Sequence, residues 1–212
     1  MLMRLVFLGP PGAGKGTVAA VLKDRLGIPH ISTGDLFRDA VSRKTDLGRE
    51  VEGILARGEL VPDELTVALV RERLKAPDAG NGYILDGFPR TIAQAEALEA
   101  FSPPEKVVNF VIDDEEVVKR LSGRRVCPST GRVYHVIYNP PKVEGKDDET
   151  GEDLVIRPDD RPEAIRHRLE VYRTQTAPLI TYYGKKSRLV DIPADRSIEE
   201  VVHLVEQAVR GL

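Results

Sequence analysis

The run Gly9-Pro10-Pro11-Gly12-Ala13-Gly14-Lys15-Gly16-Thr17 limits what this chain can fold into more than any other feature of its sequence. It follows the apolar stretch Leu5-Val6-Phe7-Leu8 and precedes apolar residues at helical spacing: Val18, Val21, Leu22 and Leu26. Glycines let successive backbone N–H groups turn inward without Cβ clashes, and a helix N-terminus behind them adds partial positive charge. Such a loop is built to hold phosphate, and Lys15 adds a mobile cation for the outer phosphates of a nucleotide. A strand, glycine loop and helix in that order imply a parallel sheet, and the rest of the chain agrees. Short apolar runs recur at Ile28-Ile31, Tyr83-Leu85, Val107-Ile112 and Leu189-Ile192, with helical patterns between them. The expected fold is α/β: a P-loop type parallel sheet with helices on both faces. Ser197 and Glu200 form a capping box ahead of Ile198, Val201, Val205 and Val209, and Pro62-Asp63-Glu64 marks another helix start.

Two stretches interrupt the alternation. Residues 32–61 hold two short helical segments and no strand. Residues 123–160 are rich in Gly, Pro and charge, with a short strand expected around Val133-Tyr138 and a hairpin-like Glu144-Gly145-Lys146-Asp147-Asp148. Both read as compact insertions on a core made of 1–31, 62–122 and 161–212.

The loop departs from the general phosphate-binding pattern in one respect. Gly16 stands where a magnesium-ligating hydroxyl is usual, and the hydroxyl comes later, at Thr17. Magnesium is then expected to be held by phosphates, water and a nearby carboxylate such as Asp86. No Asn-Lys-x-Asp guanine reader is present. With a formal charge of -3, a nucleotide site has to come from local clustering of Arg and Lys, and binding of nucleic acid is not expected.

The clustering has candidates. Tyr83-Ile84-Leu85-Asp86-Gly87-Phe88-Pro89-Arg90 ends a strand in a carboxylate and then presents an arginine from a turn. The bland alternative is that Asp86 caps the helix starting near Thr91. Ser32-Thr33-Gly34-Asp35-Leu36-Phe37-Arg38 follows the second strand; taken alone, Thr33 is as well read as a helix cap and Arg38 as a surface charge. Arg120 and Arg124 are one helical turn apart, and Arg157 and Arg168 flank Asp159-Asp160. A transferring phosphoryl group needs planar donors that keep their charge, because positioning and charge stabilisation carry that reaction.

Together these residues resemble the adenylate kinase family in its long-lid bacterial form. The match runs over nearly the whole chain, most specifically at Gly9–Thr17, Ser32–Arg38, Asp86–Arg90 with Gln94, Gly123-Arg124-Arg125 and Val133-Tyr134-His135 through Thr150. The resemblance implies reversible phosphoryl transfer from MgATP to AMP, giving two ADP, in adenine nucleotide homeostasis and biosynthesis. It implies ATP contacts at Gly12, Ala13, Gly14, Lys15, Gly16, Thr17, Arg120, Arg124, Val133, Tyr134 and Arg196. It implies AMP contacts at Thr33, Arg38, Glu59, Leu60, Val61, Gly87, Phe88, Pro89, Arg90, Gln94, Arg157 and Arg168. Lys15, Asp86, Arg90, Arg124, Arg157 and Arg168 are the implied catalytic set, with Asp159 and Asp160 pinning a closed lid. By the same analogy 32–61 is an AMP-binding domain and 123–160 a lid that excludes water.

Alternatives remain open from sequence. One is a kinase of another nucleoside monophosphate, although uridylate/cytidylate kinases typically carry Ala where Thr33 stands and a shorter lid. Others are an AMP kinase using GTP, and a nucleotide-binding switch without turnover, against which Arg38, Arg90 and Arg168 argue. Many long-lid relatives bind zinc through four lid cysteines; the matching positions here are Cys127, Thr130, Asp147 and Thr150. Threonine hydroxyls stay protonated and make poor zinc ligands, so no structural metal is expected. A hydrogen-bond network is expected instead, with Asp147 accepting from Thr130 and Thr150 and Cys127 as a weak donor. The single cysteine, the lack of an apolar run long enough to span a bilayer, and an apolar N-terminal stretch too short for a secretory leader point to a cytoplasmic chain. No exposed heptad pattern opposes a monomer.

Overall fold

The structure is a computed structural model and describes residues 2–210. Strand β1 (Met3–Leu8) leads into α1 (Lys15–Leu26), which ends at Gly27 in the left-handed conformation. Pro29 has no N–H to give a ladder, so β2 is His30–Ser32, later than the apolar run alone suggests. Helices α2 (Thr33–Ser42), α3 (Asp46–Arg57) and α4 (Asp63–Arg73) follow, then β3 (Gly82–Asp86), α5 (Ile92–Phe101), β4 (Lys106–Val111) and α6 (Asp114–Ser122). A small antiparallel pair, β5 (Arg124–Val126) and β6 (Val133–His135), precedes α7 (Pro162–Val171), α8 (Pro178–Lys185), β7 (Leu189–Pro193) and α9 (Ile198–Val209). The Ser197–Glu200 capping box opens α9. Pro62 sits at the N-cap of α4 rather than inside its first turn.

Strands β2-β3-β1-β4-β7 form one sheet, every pair parallel. Both faces are covered, as the near-continuous apolar strands require. On one face Leu5, Phe7, Val108 and Phe110 meet α1 and α9 through Leu22, Val201 and Val205. On the other Val6, Leu8, Leu85 and Val107 meet Val70, Leu98, Leu179 and Tyr183. The register sets Phe7 and Ser32 level with Asp86, so loops leaving three strands open at one edge of the sheet.

The two interrupting segments are held differently. In 32–61, Phe37, Val51 and Val61 form an apolar cluster with Ile54 and Leu55, and Leu65 and Leu69 of α4 join it. Ser32 caps α2 and Thr45 caps α3, each accepting a backbone N–H. In 123–160 the buried side chains include Val126, Cys127, Tyr134, His135 and Asp147. Asp147 Oδ2 accepts from Thr150 N at 2.8 Å, Glu149 N at 3.1 Å and Thr150 Oγ1 at 3.0 Å, while Oδ1 accepts from Tyr134 Oη at 3.0 Å. Arg132 adds an ion pair at 3.2 Å. The expected Thr130 bond to Asp147 is not made: Thr130 Oγ1 instead accepts from Arg132 N at 3.2 Å, within its own turn. Cys127 Sγ donates to Glu152 Oε2 at 3.1 Å, a partner the four-position comparison did not include. The strand expected to reach Tyr138 stops at His135, because the His135 Nδ1 accepts from Ile137 N and Tyr138 N and turns the chain.

Candidate active site

The glycine loop leaves β1 beside the C-terminal ends of β3 and β4. Gly12 adopts φ 79°, and a Cβ there would lie 2.8 Å from Leu121 Cγ, so the loop lies flat against α6 only because that side chain is missing. Gly14 is the N-cap of α1 and offers no side-chain cap to the first turn. Lys15 Nζ donates to Gly9 O at 2.9 Å and Pro10 O at 2.8 Å, which holds the ammonium above the loop. Burial lowers its pKa to about 8; Asp86 opposes that shift, while Arg90, Arg168 and Arg124 reinforce it.

Asp86 ends β3 and faces His30, whose Nε2 is 3.4 Å from its Oδ2. Burial pushes the Asp86 carboxyl up, but the His30 ring and the Lys15 charge outweigh it and hold the group below its ordinary range. A Cβ on Gly16 would lie 3.4 Å from that carboxylate oxygen, in ordinary van der Waals contact, so Asp86 stands next to the space where a serine or threonine side chain usually projects. Asp86 does not cap α5; Thr91 does, accepting from Gln94 N at 3.2 Å.

The turn after β3 is tied from several directions. Thr33 Oγ1 donates to Gly87 O at 2.8 Å, so Ser32 rather than Thr33 is the α2 cap. Arg90 Nε donates to the same Gly87 oxygen at 2.9 Å, and Thr176 Oγ1 donates to Arg90 O at 2.9 Å. Thr176 ends a widened helical turn, Tyr172–Thr176, between α7 and α8. Arg90 is half-buried, and desolvation first and Arg168 second lower its pKa to about 10. A cleft between 32–61 and this turn is lined by Thr33, Glu59, Leu60, Val61, Gly87, Arg90 and Gln94, with Phe88 fully buried beneath it.

More cations approach from the second segment and from α7. Arg124 makes a two-pronged ion pair with Asp160, Nε to Oδ2 at 2.7 Å and Nη2 to Oδ1 at 2.5 Å. Arg168 contacts Asp160 Oδ1 at 3.1 Å and Asp159 Oδ2 at 3.0 Å. Arg157 is pushed down to about 10 by burial and by Arg38 and Arg124, and its Nε is buried without a partner among the described residues. Arg38 pairs with Asp35 at 2.5 Å. Lys15, Arg90, Arg124 and Arg168 thus share one cleft, where Asp86, Asp159 and Asp160 offset part of their mutual repulsion and a bound polyanion would offset the rest.

Other sequence-expected residues stand further out. Arg120 reaches over Gly14, whose Cβ would lie 3.8 Å from its Nη1, but pairs through Nε with Glu116 at 3.1 Å. Val133 is exposed; Tyr134 is buried in its hairpin, with the hydroxyl on Asp147. Arg196 is exposed on the turn before α9. Ile192 and Pro193 belong to β7, paired with Phe110 and Val111. His30, Asp63, Thr176 and Glu152 were not foreseen. His30 had a signal, a polar residue inside an apolar run; the other three bind partners far away in sequence or carry no local pattern.

The family model for adenylate kinase matches residues 7–188. The chain is 56% identical over 200 residues to the adenylate kinase of Treponema denticola, covering 94% of this chain and 96% of that one. It is 50% identical over 211 residues to the adenylate kinase of Moorella thermoacetica, covering 97% of each.

Proposed function

The chain belongs to the adenylate kinase family, and from that premise we propose how its residues divide the work of the reaction. It is an ATP:AMP phosphotransferase: an AMP phosphate oxygen attacks the γ-phosphorus of ATP, the bond to the β,γ-bridging oxygen breaks, and two ADP result. The observation that carries the assignment of roles is the meeting in one cleft of Lys15 and Arg90 beside Asp86 with Arg124 and Arg168 beside Asp160, the Lys15 and Arg90 pKa values both being depressed.

Residues Gly12 to Thr17 hold the ATP phosphates, with Lys15 on the outer ones. Arg124 joins them from the lid. Arg120, Val133, Tyr134 and Arg196 border the ATP adenine. Thr33, Arg38, Glu59 to Val61, Gly87 to Arg90 and Gln94 form the AMP cleft. Arg157 and Arg168 spread charge over the transferring group, since a loose transition state distributes charge over three oxygens. Asp86, whose carboxyl is held below its ordinary range beside the loop, would hold the waters of a magnesium ion bound with ATP, which would supply charge neutralisation at the phosphates. Residues 32–61 act as the AMP-binding domain and 123–160 as the lid, on a core of the remaining segments. Closure keeps water from competing with AMP. The Arg124–Asp160–Arg168 chain supports this reading, since it ties the start of β5 to α7. No helix among the described residues is long and apolar enough to cross a membrane. We place the enzyme in the cytoplasm as a monomer.

A crossed kinetic experiment tests the division. Arg90→Ala is expected to raise the AMP KM at least about tenfold more than the ATP KM, and Arg124→Ala to do the reverse, because each loses a charge-assisted contact to one phosphate chain. Equal losses for both nucleotides in either variant would misplace that arginine. The same coupled assay on the parent enzyme, run with UMP, CMP and GMP as acceptors and GTP as donor, measures its selectivity.

A further inference from the structure

Gln94 is 1% exposed, and its amide is gripped at both ends. Oε1 accepts from Arg90 N at 2.8 Å, and Nε2 donates to Asp63 Oδ1 at 2.7 Å. A backbone N–H only donates and a carboxylate only accepts, so the two partners dictate which end of the amide points where. Asp63 is itself fixed. It opens α4, and its Oδ2 accepts from Thr91 Oγ1 at 2.9 Å. Gln94 lines the cleft, whereas Asp63 is not among the lining residues.

One Nε2 hydrogen and one Oε1 lone pair remain for a ligand. They form a donor and an acceptor in fixed order. Adenine offers the matching pair, its N6 amine beside a ring-nitrogen acceptor, which is why planar amides read it in two-pronged fashion. A 6-oxopurine puts an acceptor where the amine was and sets it against Oε1.

We propose that Asp63 is a specificity-determining positioning residue: by fixing the Gln94 amide it makes the monophosphate cleft accept a 6-aminopurine and reject a 6-oxopurine. This rests on Gln94 being the base contact of the AMP cleft. Reversing the wild-type amide sets it against two wrong partners, Arg90 N–H and the Asp63 carboxylate. With Asp63→Asn the new amide can turn to donate, and only one wrong partner is left.

The experiment compares kcat/KM for AMP and for inosine 5′-monophosphate at saturating ATP in the parent, Asp63→Asn and Gln94→Leu. In Asp63→Asn the AMP-to-IMP ratio is expected to fall about tenfold, with the ATP KM within about twofold of the parent. Asp63→Ser carries the same expectation, since a hydroxyl also donates or accepts, and it replaces the amide variant should that not fold. An Asp63→Asn enzyme that loses AMP and IMP activity equally has lost structure only, and the proposal fails. An unchanged ratio in Asp63→Asn beside a collapsed ratio in Gln94→Leu removes Asp63 and keeps Gln94 as the reader. An unchanged ratio in both variants removes Gln94 from base reading, and the proposal falls with it.

Discussion

Segments 32–61 and 123–160 both interrupt the sheet and both face the cationic cleft, yet opposite means hold them. The first is a pair of capped helices around Phe37 and Val51, and its apolar cluster runs on into Leu65 and Leu69. Those residues lie on α4, whose Val67 and Val70 belong to the main core. The second segment is organised around Asp147, a carboxylate with no exposed surface that collects backbone and side-chain donors. Ion pairs of Arg124 and Arg168 with Asp160 connect its base to α7. An apolar cluster shared with the core transmits a loss of packing to the whole domain. A hydrogen-bonded hub satisfies its own neighbourhood and loosens locally.

The largest effect that separates the two lies in the first segment. Phe37→Ala is expected to cost about 3–5 kcal/mol of global stability, because a buried ring leaves a cavity that the surrounding helices only partly fill. For a chain of this size that lowers the melting temperature by roughly 10 °C, read by calorimetry as one transition. A separate low-temperature transition with the main one unmoved would show that the cluster does not couple through α4, and the contrast would disappear.

Asp147→Asn is expected to do the reverse. Whichever way the amide turns, its NH2 meets groups that only donate or are already donating: Thr150 N and Glu149 N on one side, Tyr134 Oη and Arg132 on the other. Proteolytic nicking within 123–160 should quicken about tenfold, while the global melting temperature stays within about 2 °C. Acid should act through the same group. The Thr150 N–H foremost, then the Glu149 N–H, the Thr150 hydroxyl and Tyr134, set against burial, hold the Asp147 pKa down at about 2. The unfolded value is about 3.9, so this stabilisation is complete above about pH 4 and is lost as the pH falls toward 2. Nicking of the parent should rise across that window, and Asp147→Asn should flatten the rise.

The same contrast explains what could be read from sequence. The sheet, the α9 capping box, the two helices of 32–61 and the glycine loop all rest on local spacing, where apolar period and glycine chemistry act over a few residues. The places of Lys15, Asp86 and Arg90 in the fold, at a loop or strand end, were legible for the same reason. Polar pairings between distant residues leave no such trace. Asp63 reaches Thr91 and Gln94, Thr176 reaches Arg90 O, and Cys127 reaches Glu152, and nothing in the intervening chain signals these meetings. Position-by-position likeness also misled in 123–160, since four aligned positions suggested a symmetrical network in which both threonines served Asp147.

The smallest expected effect is the finest test of that asymmetry. Thr150 and Thr130 occupy equivalent places in two turns of 123–160 but do different things. Thr150 Oγ1 donates to Asp147 Oδ2 at 3.0 Å, accepts from Glu152 N at 3.3 Å and lies 3.8 Å from Cys127 Sγ. Thr130 Oγ1 accepts from Arg132 N, two residues along the same exposed turn, where water replaces it at little cost. Thr150→Ala removes a donor from the hub and leaves the Glu152 N–H without its side-chain acceptor. It should speed nicking of 123–160 by about threefold, less than Asp147→Asn because the Thr150 backbone N–H still binds Asp147. Thr130→Ala should leave the nicking rate within experimental error of the parent. The double variant should match Thr150→Ala alone, since Thr130 makes no bond to Asp147 and so contributes nothing to the hub. Equal acceleration by the two single variants would return Thr130 to the hub and make the network around Asp147 symmetrical after all.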